Sequence, residues 1–137
     1  MYPPHLVAPM KADLTSVGFD ELLTPDQVDA ALNLREGTVL VMVNSVCGCA
    51  AGNARPGVKK AIENSKKPTK LTTVFAGVDT DATERARRYF LPYPPSSPAI
   101  ALFKDGKLVH FLERHHIEGR PADMIAENLK MAFDQFC

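Results

Sequence analysis

Apolar runs along the chain alternate between lengths typical of strands and spacings typical of helices. Residues 38–44 are apolar at nearly every position, which predicts a strand buried on both faces of a sheet. Similar runs and period-2 segments predict further strands, and apolar residues at helical spacing predict the helices between them. The predicted strands are residues 19–23, 38–44, 70–76, 99–104 and 107–112. The predicted helices are residues 4–16, 24 to about 37, 47–64, 80–90 and 117–136.

Local signals mark several boundaries of these elements. Thr24, with Pro25 after it and Gln27 three residues on, is a strong helix start. Asp105-Gly106 between two strand patterns predicts a hairpin. The prolines of residues 91–98 predict an irregular segment. The last predicted helix carries an apolar stripe that is expected to face the core: Met124, Ile125, Leu129, Ala132 and Phe133.

The order of the elements predicts the architecture. Strands separated by helices require parallel crossovers, and the hairpin adds an antiparallel pair. This order predicts an α/β fold with a mixed central sheet between helices on both faces. A chain of 137 residues fits a single domain, residues 1–137, in which residues 1–17 form an N-terminal helical extension.

Composition and charge exclude several classes of function. The chain is 45% hydrophobic and 23% charged, as in an ordinary globular protein, and 16 basic residues balance 16 acidic ones. It therefore lacks the basic surface of a nucleic-acid binder or a polybasic membrane patch. The apolar runs are too short for a membrane span, and the first residues do not resemble a signal peptide, so a cytoplasmic location is expected.

Two cysteines lie where a buried strand is predicted to end and a helix to begin. Cys47 and Cys49 flank Gly48 directly after the run of residues 38–44. Free amide groups in the first turn of a helix favour negative charge, so the pKa of a thiol there falls from about 8.5 toward neutrality. Because the thiolate is the nucleophile, this position predicts a redox-active site. The third cysteine, Cys137, is the last residue, and it is either a free thiol without a role or a partner in an intermolecular disulfide.

The two cysteines receive different predicted roles. Cys47 precedes the helix and is predicted to attack, whereas Cys49 lies in the first turn and is a candidate resolving thiol. With one residue between them, a disulfide would close a tight ring, for which Gly48 supplies backbone freedom. The alternative is that an external small thiol resolves the mixed disulfide. The sequence leaves both routes open.

Other polar residues are weaker candidates. Arg114-His115-His116 could join the cysteines as metal ligands, since zinc accepts both residue types, but a solvated strand end is the simpler interpretation. His115 could also lie near the active cleft and tune it. Arg55 could approach an anionic substrate if the helix bends at Pro56, but a surface role is the favoured prediction.

Several motifs in order resemble the bacilliredoxin family. The first is Asn44-Ser45-Val46-Cys47-Gly48-Cys49-Ala50-Ala51-Gly52, with Ala54-Arg55-Pro56 after it. The others are Thr73-Val74-Phe75-Ala76-Gly77, Pro95-Ser96-Ser97-Pro98, Val109-His110-Phe111, Arg114-His115 with Ile117-Glu118-Gly119, and a terminal cysteine. The resemblance spans nearly the whole chain and implies a thioredoxin-like three-layer sandwich. It also implies a cis-proline at Pro98, opposite the reactive cysteine.

The resemblance implies a thiol–disulfide oxidoreductase that removes bacillithiol, a small thiol, from S-thiolated client proteins. In that scheme Cys47 attacks the mixed disulfide, and Cys49 or free bacillithiol then clears it. Some members of the family are weak disulfide isomerases. Gly48, Ser97 and Pro98 are expected to contact the substrate, with no bound cofactor and bacillithiol as thiol co-substrate. The alternatives are a metal-binding thioredoxin-like protein and a non-catalytic interaction module.

Overall fold

The computed structural model describes residues 2–33, 36–46 and 48–137, and of Cys49 it describes the backbone only. Within these residues, five strands form one sheet in the order β1-β3-β2-β4-β5. The strands are β1 (Asp20–Glu21), β2 (Thr38–Asn44), β3 (Lys70–Phe75), β4 (Ala99–Lys104) and β5 (Lys107–Leu112). Strand β3 lies parallel to β1 and β2, whereas β4 is antiparallel to both β2 and β5. The predicted mixed sheet is confirmed.

The helices cover both faces of this sheet. They are α1 (Pro4–Thr15), α2 (Pro25–Leu32), α3 (Gly48–Ala61), α4 (Thr80–Tyr89), α5 (Arg114–Ile117) and α6 (Ala122–Phe136). Apolar residues of α1, α3 and α6 share one core with the sheet, and those of α2 and α4 share the other. In the described ranges, none of the helices combines the length and the apolar character needed to cross a membrane.

Strand β2 is the centre of the fold. All seven of its residues are buried, as the apolar run predicts. Successive side chains of a strand point to opposite faces, so Leu40 and Met42 enter the core under α3 and α6. Val39, Val41 and Val43 enter the core under α2 and α4. A strand used on both faces has no solvent-facing position, which explains why its polar residues lie at its two ends.

Two turns have the chemistry predicted for them. Thr24 precedes α2, and its side-chain oxygen accepts a hydrogen bond of 3.2 Å from the backbone N–H of Gln27. At the hairpin, Asp105 and Gly106 have φ angles of 52° and 83°. These positive values suit the tight turn between two twisted strands.

The C-terminal region departs from the prediction of one helix over residues 117–136. A short helix, α5, ends at Ile117, and α6 begins only at Ala122. Gly119 has a φ of 79° and Pro121 precedes the first residue of α6, so the backbone changes direction between the two helices. The prediction for Met124 is wrong: its side chain is 54% exposed, while the other four residues of the stripe are buried. Met124 is about 100° around the helix from the buried Ile125, on the side that also carries the exposed Met131.

Helices α3 and α6 approach each other closely at Gly57. A Cβ atom at this position would lie 2.8 Å from Ile125 Cγ2 and 2.9 Å from Ile125 Cβ. The carbonyl oxygen of Ala122 would be 3.2 Å away. Because part of this obstruction is backbone, the two helices would have to separate to admit a methyl group. By contrast, a Cβ at Gly52 on the same helix would meet nothing within 4 Å.

This difference predicts opposite effects for the same substitution. Gly57→Ala should lower the free energy of unfolding, because the overpacking cost of about 1–3 kcal/mol outweighs the helix propensity gained. Gly52→Ala, the matched control, should raise it by about 0.5–1 kcal/mol, since alanine is favoured over glycine in a helix. Equilibrium unfolding in urea measures both. A Gly57→Ala protein as stable as Gly52→Ala would contradict the close helix contact.

Candidate functional site

The edge of the sheet at which β2 and β3 end collects the loops expected to carry the site. The backbone N–H of Ala76, just after β3, donates to the carbonyl oxygen of Asn44 at 3.0 Å, so the two parallel strands end side by side. On the other side of β2, Val43 pairs with Ala99, which brings Pro98 to the same edge. In α/β folds, ligands bind beyond the carboxyl ends of such strands.

Both cysteines of the motif fall partly or wholly outside the described residues. Cys47, the predicted nucleophile, lies outside them, as does the side chain of Cys49, the predicted resolving thiol. Their roles therefore remain predictions. The backbone of Cys49 belongs to the first turn of α3, as predicted. Gly48 is exposed with a φ of 40°, a backbone conformation that favours glycine, and its N–H donates to the carbonyl oxygen of Val46 at 2.7 Å.

A buried polar network holds the end of β2. Asn44 is 1% exposed, and its side-chain amide donates to the carbonyl oxygen of Met10 in α1 at 3.0 Å. Its side-chain oxygen accepts from the backbone N–H of Ser45 at 2.8 Å and from Arg55 at 3.1 Å. The same Arg55 nitrogen donates to the carbonyl oxygen of Ser45 at 2.8 Å. Helix α1, strand β2 and helix α3 thus meet in one set of hydrogen bonds.

The surface role predicted for Arg55 is wrong. Its side chain is only 12% exposed, and Asp13 is its nearest acidic partner, with Nε 3.7 Å from Oδ2. Burial lowers the pKa of the Arg55 guanidinium, and the charge of Asp13 opposes that shift. An arginine keeps its proton in proteins, so the network places a poorly hydrated positive charge at the end of β2. The side chain reaches inward because α3 passes across the end of this strand.

The segment before β4 faces the same edge. The Ser97–Pro98 peptide bond is cis, as the family resemblance implies, and Leu91–Pro92 is also cis. Pro98 is buried and Ser97 is half-buried. Arg114 contacts this segment twice: its guanidinium donates to the carbonyl oxygen of Ser97 at 3.3 Å, and its backbone N–H donates to Ser96 Oγ at 3.3 Å. Substrate contacts of Gly48, Ser97 and Pro98 remain predictions.

The two histidines lie on α5 and not at a strand end. Their rings are 4.0 Å apart between centroids, and one ligand atom each from Glu113, His115 and His116 lies within 4.8 Å of the others. The Nδ1 atom of His116 accepts the backbone N–H of Glu113 at 3.0 Å, so a neutral His116 carries its proton on Nε2. The Glu113 carboxylate in return caps the N–H of His116.

This reciprocal cap makes the cluster a poor metal site. Neither nitrogen of His116 has a lone pair to offer while the cap is intact, so the cluster supplies at most two ligands, Glu113 and His115. Burial and the neighbouring His115 lower the pKa of His116, which keeps it neutral and suits the cap. A metal site that also uses Cys47 or Cys49 involves side chains outside the described residues.

Cys137 belongs to the opposite edge of the sheet. Burial raises the pKa of its thiol, and the nearby side chains of Thr38, the first residue of β2, and Lys104 oppose that shift. Strand β2 has seven residues, which correspond to about 23 Å at the usual rise per residue. Cys137 is therefore separated by the length of β2 from the edge at which the Cys-Gly-Cys motif follows.

Asn44 and Arg55 stand in the motif that resembles the family, but the sequence did not show their role at this edge. The single polar residue at the end of an apolar strand, Asn44, is a signal that a buried partner is needed. The residue that supplies it, Arg55, is eleven positions later, and the carbonyl oxygen of Met10 is thirty-four positions earlier. Such pairings arise from packing and leave no local pattern.

Comparison with known proteins agrees with this architecture. Solved thioredoxins superimpose on the chain at low sequence identity. One from Malassezia sympodialis has a TM-score of 0.62 at 13% identity and covers 87% of this chain and 90% of its own. Mitochondrial thioredoxin 3 from Saccharomyces cerevisiae, in its oxidised form, has a TM-score of 0.61 at 12% identity, over 90% and 98% of the two chains. These likenesses establish a thioredoxin fold.

Closer relatives share sequence along the full length. A family model described as disulphide isomerase matches residues 2–137. A protein named bacilliredoxin from Cytophaga hutchinsonii is 65% identical over 135 residues, which are 98% of this chain and 99% of that protein. Another bacilliredoxin, from Koribacter versatilis, is 52% identical over 137 residues, covering 100% and 94%. The chain therefore belongs to the bacilliredoxin family, a family of thiol–disulfide oxidoreductases with a thioredoxin fold.

Proposed function

We propose that this protein removes bacillithiol from S-thiolated client proteins, with Cys47 as the nucleophile. The observation that carries the proposal is the Arg55–Asn44 network at the end of β2. It holds a buried cation against the carbonyl oxygen of Ser45, two residues before Cys47 in sequence. A positive charge near a thiol lowers its pKa and increases the fraction of nucleophilic thiolate. Membership of the bacilliredoxin family supports the choice of thiol.

The proposed reaction has two exchange steps. The Cys47 thiolate attacks the bacillithiol sulfur of the mixed disulfide, and a new bond forms between Cys47 and bacillithiol. The bond between bacillithiol and the client cysteine breaks, and the client leaves as a thiolate that takes up a proton from solvent. No net oxidation occurs, because one disulfide replaces another.

The second step clears the bacillithiol from Cys47. Either a free bacillithiol thiolate attacks, which releases oxidised bacillithiol and the Cys47 thiolate, or Cys49 attacks and releases reduced bacillithiol with a Cys47–Cys49 disulfide. In the second route external thiols must reduce that disulfide, and are themselves oxidised to a disulfide, before the next turnover. A disulfide across one intervening residue is strained and readily reduced. Such a bond is also able to exchange with client disulfides, so weak disulfide isomerase activity accompanies the main reaction.

Cysteine variants test the nucleophile. Cys47→Ser should reduce release of bacillithiol from a bacillithiolated client to the rate measured without enzyme, because serine does not exchange with disulfides. Cys49→Ser should still form an adduct with bacillithiol on Cys47, detected by mass spectrometry of the intact protein. Cys137→Ser is the matched control and should keep full activity, since its thiol lies at the far end of β2. Full activity in Cys47→Ser would exclude the proposal.

The same variants separate the two clearing routes. If Cys49 resolves, the unsubstituted protein should release reduced bacillithiol in its first turnover without added thiol, whereas Cys49→Ser should keep bacillithiol on Cys47. If free bacillithiol resolves, Cys49→Ser should turn over at the rate of the unchanged protein in the presence of that thiol. Chromatography of the released thiol distinguishes reduced from oxidised bacillithiol in each case.

Arg55 is expected to act as a positioning residue through Cys47. Arg55→Met should raise the pKa of the Cys47 thiol by about one unit, because it removes a cation from a site with little water to screen it. The pH dependence of alkylation by iodoacetamide measures this pKa, in a background of Cys49→Ser and Cys137→Ser. Arg55→Lys keeps the charge without the guanidinium fork and should restore part of the shift.

Lys59 provides the matched control for charge. It lies on the same helix and contacts the same carboxylate, with Nζ 2.8 Å from Asp13 Oδ1, but its side chain is 35% exposed, whereas that of Arg55 is 12% exposed. Lys59→Met should therefore leave the thiol pKa unchanged. A folded Arg55→Met protein with an unchanged thiol pKa would contradict the role of Arg55.

A further inference from the structure

A pocket of about 390 Å³ opens beside the edge described above, on the face covered by α2 and α4. Gly77 after β3, Thr80 and Arg87 of α4, and Tyr93 and Pro95 of the segment before β4 contribute to its lining. Gly77 follows the strand that ends beside Asn44, and Pro95 lies three residues before the cis-proline Pro98. The pocket is thus bounded by two of the loops that surround the end of β2.

Arg87 is the unusual member of this lining. Its Nε atom is buried and has no hydrogen-bond partner in the part of the chain that the structure describes. Burial lowers the pKa of its guanidinium, and no carboxylate opposes the shift. An arginine remains protonated all the same, so the pocket contains a partly desolvated positive charge. Such a charge is costly unless an anion accompanies it.

The neighbouring arginines of α4 lack this feature. Arg85 donates to Asp29 at 2.7 Å, outside the pocket. Arg88 and Glu84 line the pocket together with Arg87, but they lie 4.0 Å apart, so their opposite charges offset each other, and both side chains are largely exposed. Among the described residues, no acidic side chain lies within ion-pair distance of Arg87. The unbalanced charge is therefore a property of this position and not of the helix as a whole.

We infer that Arg87 binds a carboxylate of the small thiol carried by the client, and so helps to present its disulfide to Cys47. This inference rests on the proposed function. A guanidinium matches a carboxylate through two parallel N–H donors, which fixes orientation as well as charge. The volume of the pocket suits a small molecule, and Tyr93 and Leu91 give it an apolar wall. The exchange reaction itself is unchanged: the pocket holds a part of the substrate that does not react.

Two disulfide reagents of opposite character test this inference. Dithiobis(nitrobenzoate) carries a carboxylate on each ring, whereas dithiodipyridine is neutral, and both release a coloured thiol when a thiolate attacks. Each is reacted with protein in which Cys47 is the remaining thiol, through Cys49→Ser and Cys137→Ser. Arg87→Gln should slow the reaction with the anionic reagent about tenfold, as expected for loss of one charge-assisted hydrogen-bonded pair. Its reaction with the neutral reagent should not change.

Arg85→Gln is the matched control, because it removes the same charge from the same helix outside the pocket. It should leave both rates unchanged. Equal slowing of the anionic reagent by Arg85→Gln and Arg87→Gln would show a general field effect and overturn the inference. An Arg87→Gln protein that keeps the rate with the anionic reagent, or loses both rates equally, would also overturn it. If neither reagent reacts with the Cys49→Ser, Cys137→Ser protein that keeps Arg87, the result would instead count against Cys47 as the nucleophile.

Competition keeps the inference testable if Arg87→Gln does not fold. Succinate should inhibit the reaction of the anionic reagent in a saturable manner without affecting the neutral one. Sodium chloride at the same ionic strength is the control, and equal inhibition by both would overturn the inference. A further arm uses two client peptides that carry a neutral small thiol and differ only in acidic flanking residues. Dependence of the acidic peptide on Arg87 would assign the carboxylate to the client and not to the small thiol.

Discussion

The fold depends on a central strand that has no contact with water on either face. All seven residues of β2 are buried, and its neighbours β3 and β4 complete its backbone hydrogen bonds. A polar side chain at its end therefore needs protein partners, because a buried polar group without them costs about 1–3 kcal/mol. Asn44 finds these partners in α1 and α3. The candidate site therefore lies beside the hydrogen-bond network that satisfies Asn44.

Much of the fold was predictable from the sequence for the same reason. An unbroken apolar run such as residues 38–44 fits a doubly covered strand, and it sets the pattern for the elements around it. The cap at Thr24 and the Asp105-Gly106 turn involve residues that are close in sequence, so both can be predicted from short sequence patterns. The order of elements then limits the topology to a mixed sheet between helices.

The features that escaped prediction depend on distant partners or on a choice between similar local signals. Arg55 was expected at the surface, because the residues around it in sequence do not show that its side chain reaches the end of β2. The apolar stripe favoured one continuous helix, whereas Gly119 and Pro121 favoured a break. The structure has the break, between α5 and α6. The location of the motif at a strand-to-helix junction was predictable. Arg55, Arg87 and Arg114 come from three separate segments, and only folding brings them to the edge at which β2 ends.

The hydrogen bond from Asn44 to the carbonyl oxygen of Met10 connects helix α1 to the end of the central strand. Asp13, on the next turn, contacts Arg55 and Lys59, and Lys11 donates to Asp79 in the loop after β3. Helix α1 therefore completes the hydrogen-bond network at the end of β2, although it contributes no strand to the sheet. The proposed function therefore makes the reactivity of the Cys47 thiol depend on helix α1 as well. Under that proposal, substitutions in α1 change thiol reactivity without altering any residue of the Cys-Gly-Cys loop.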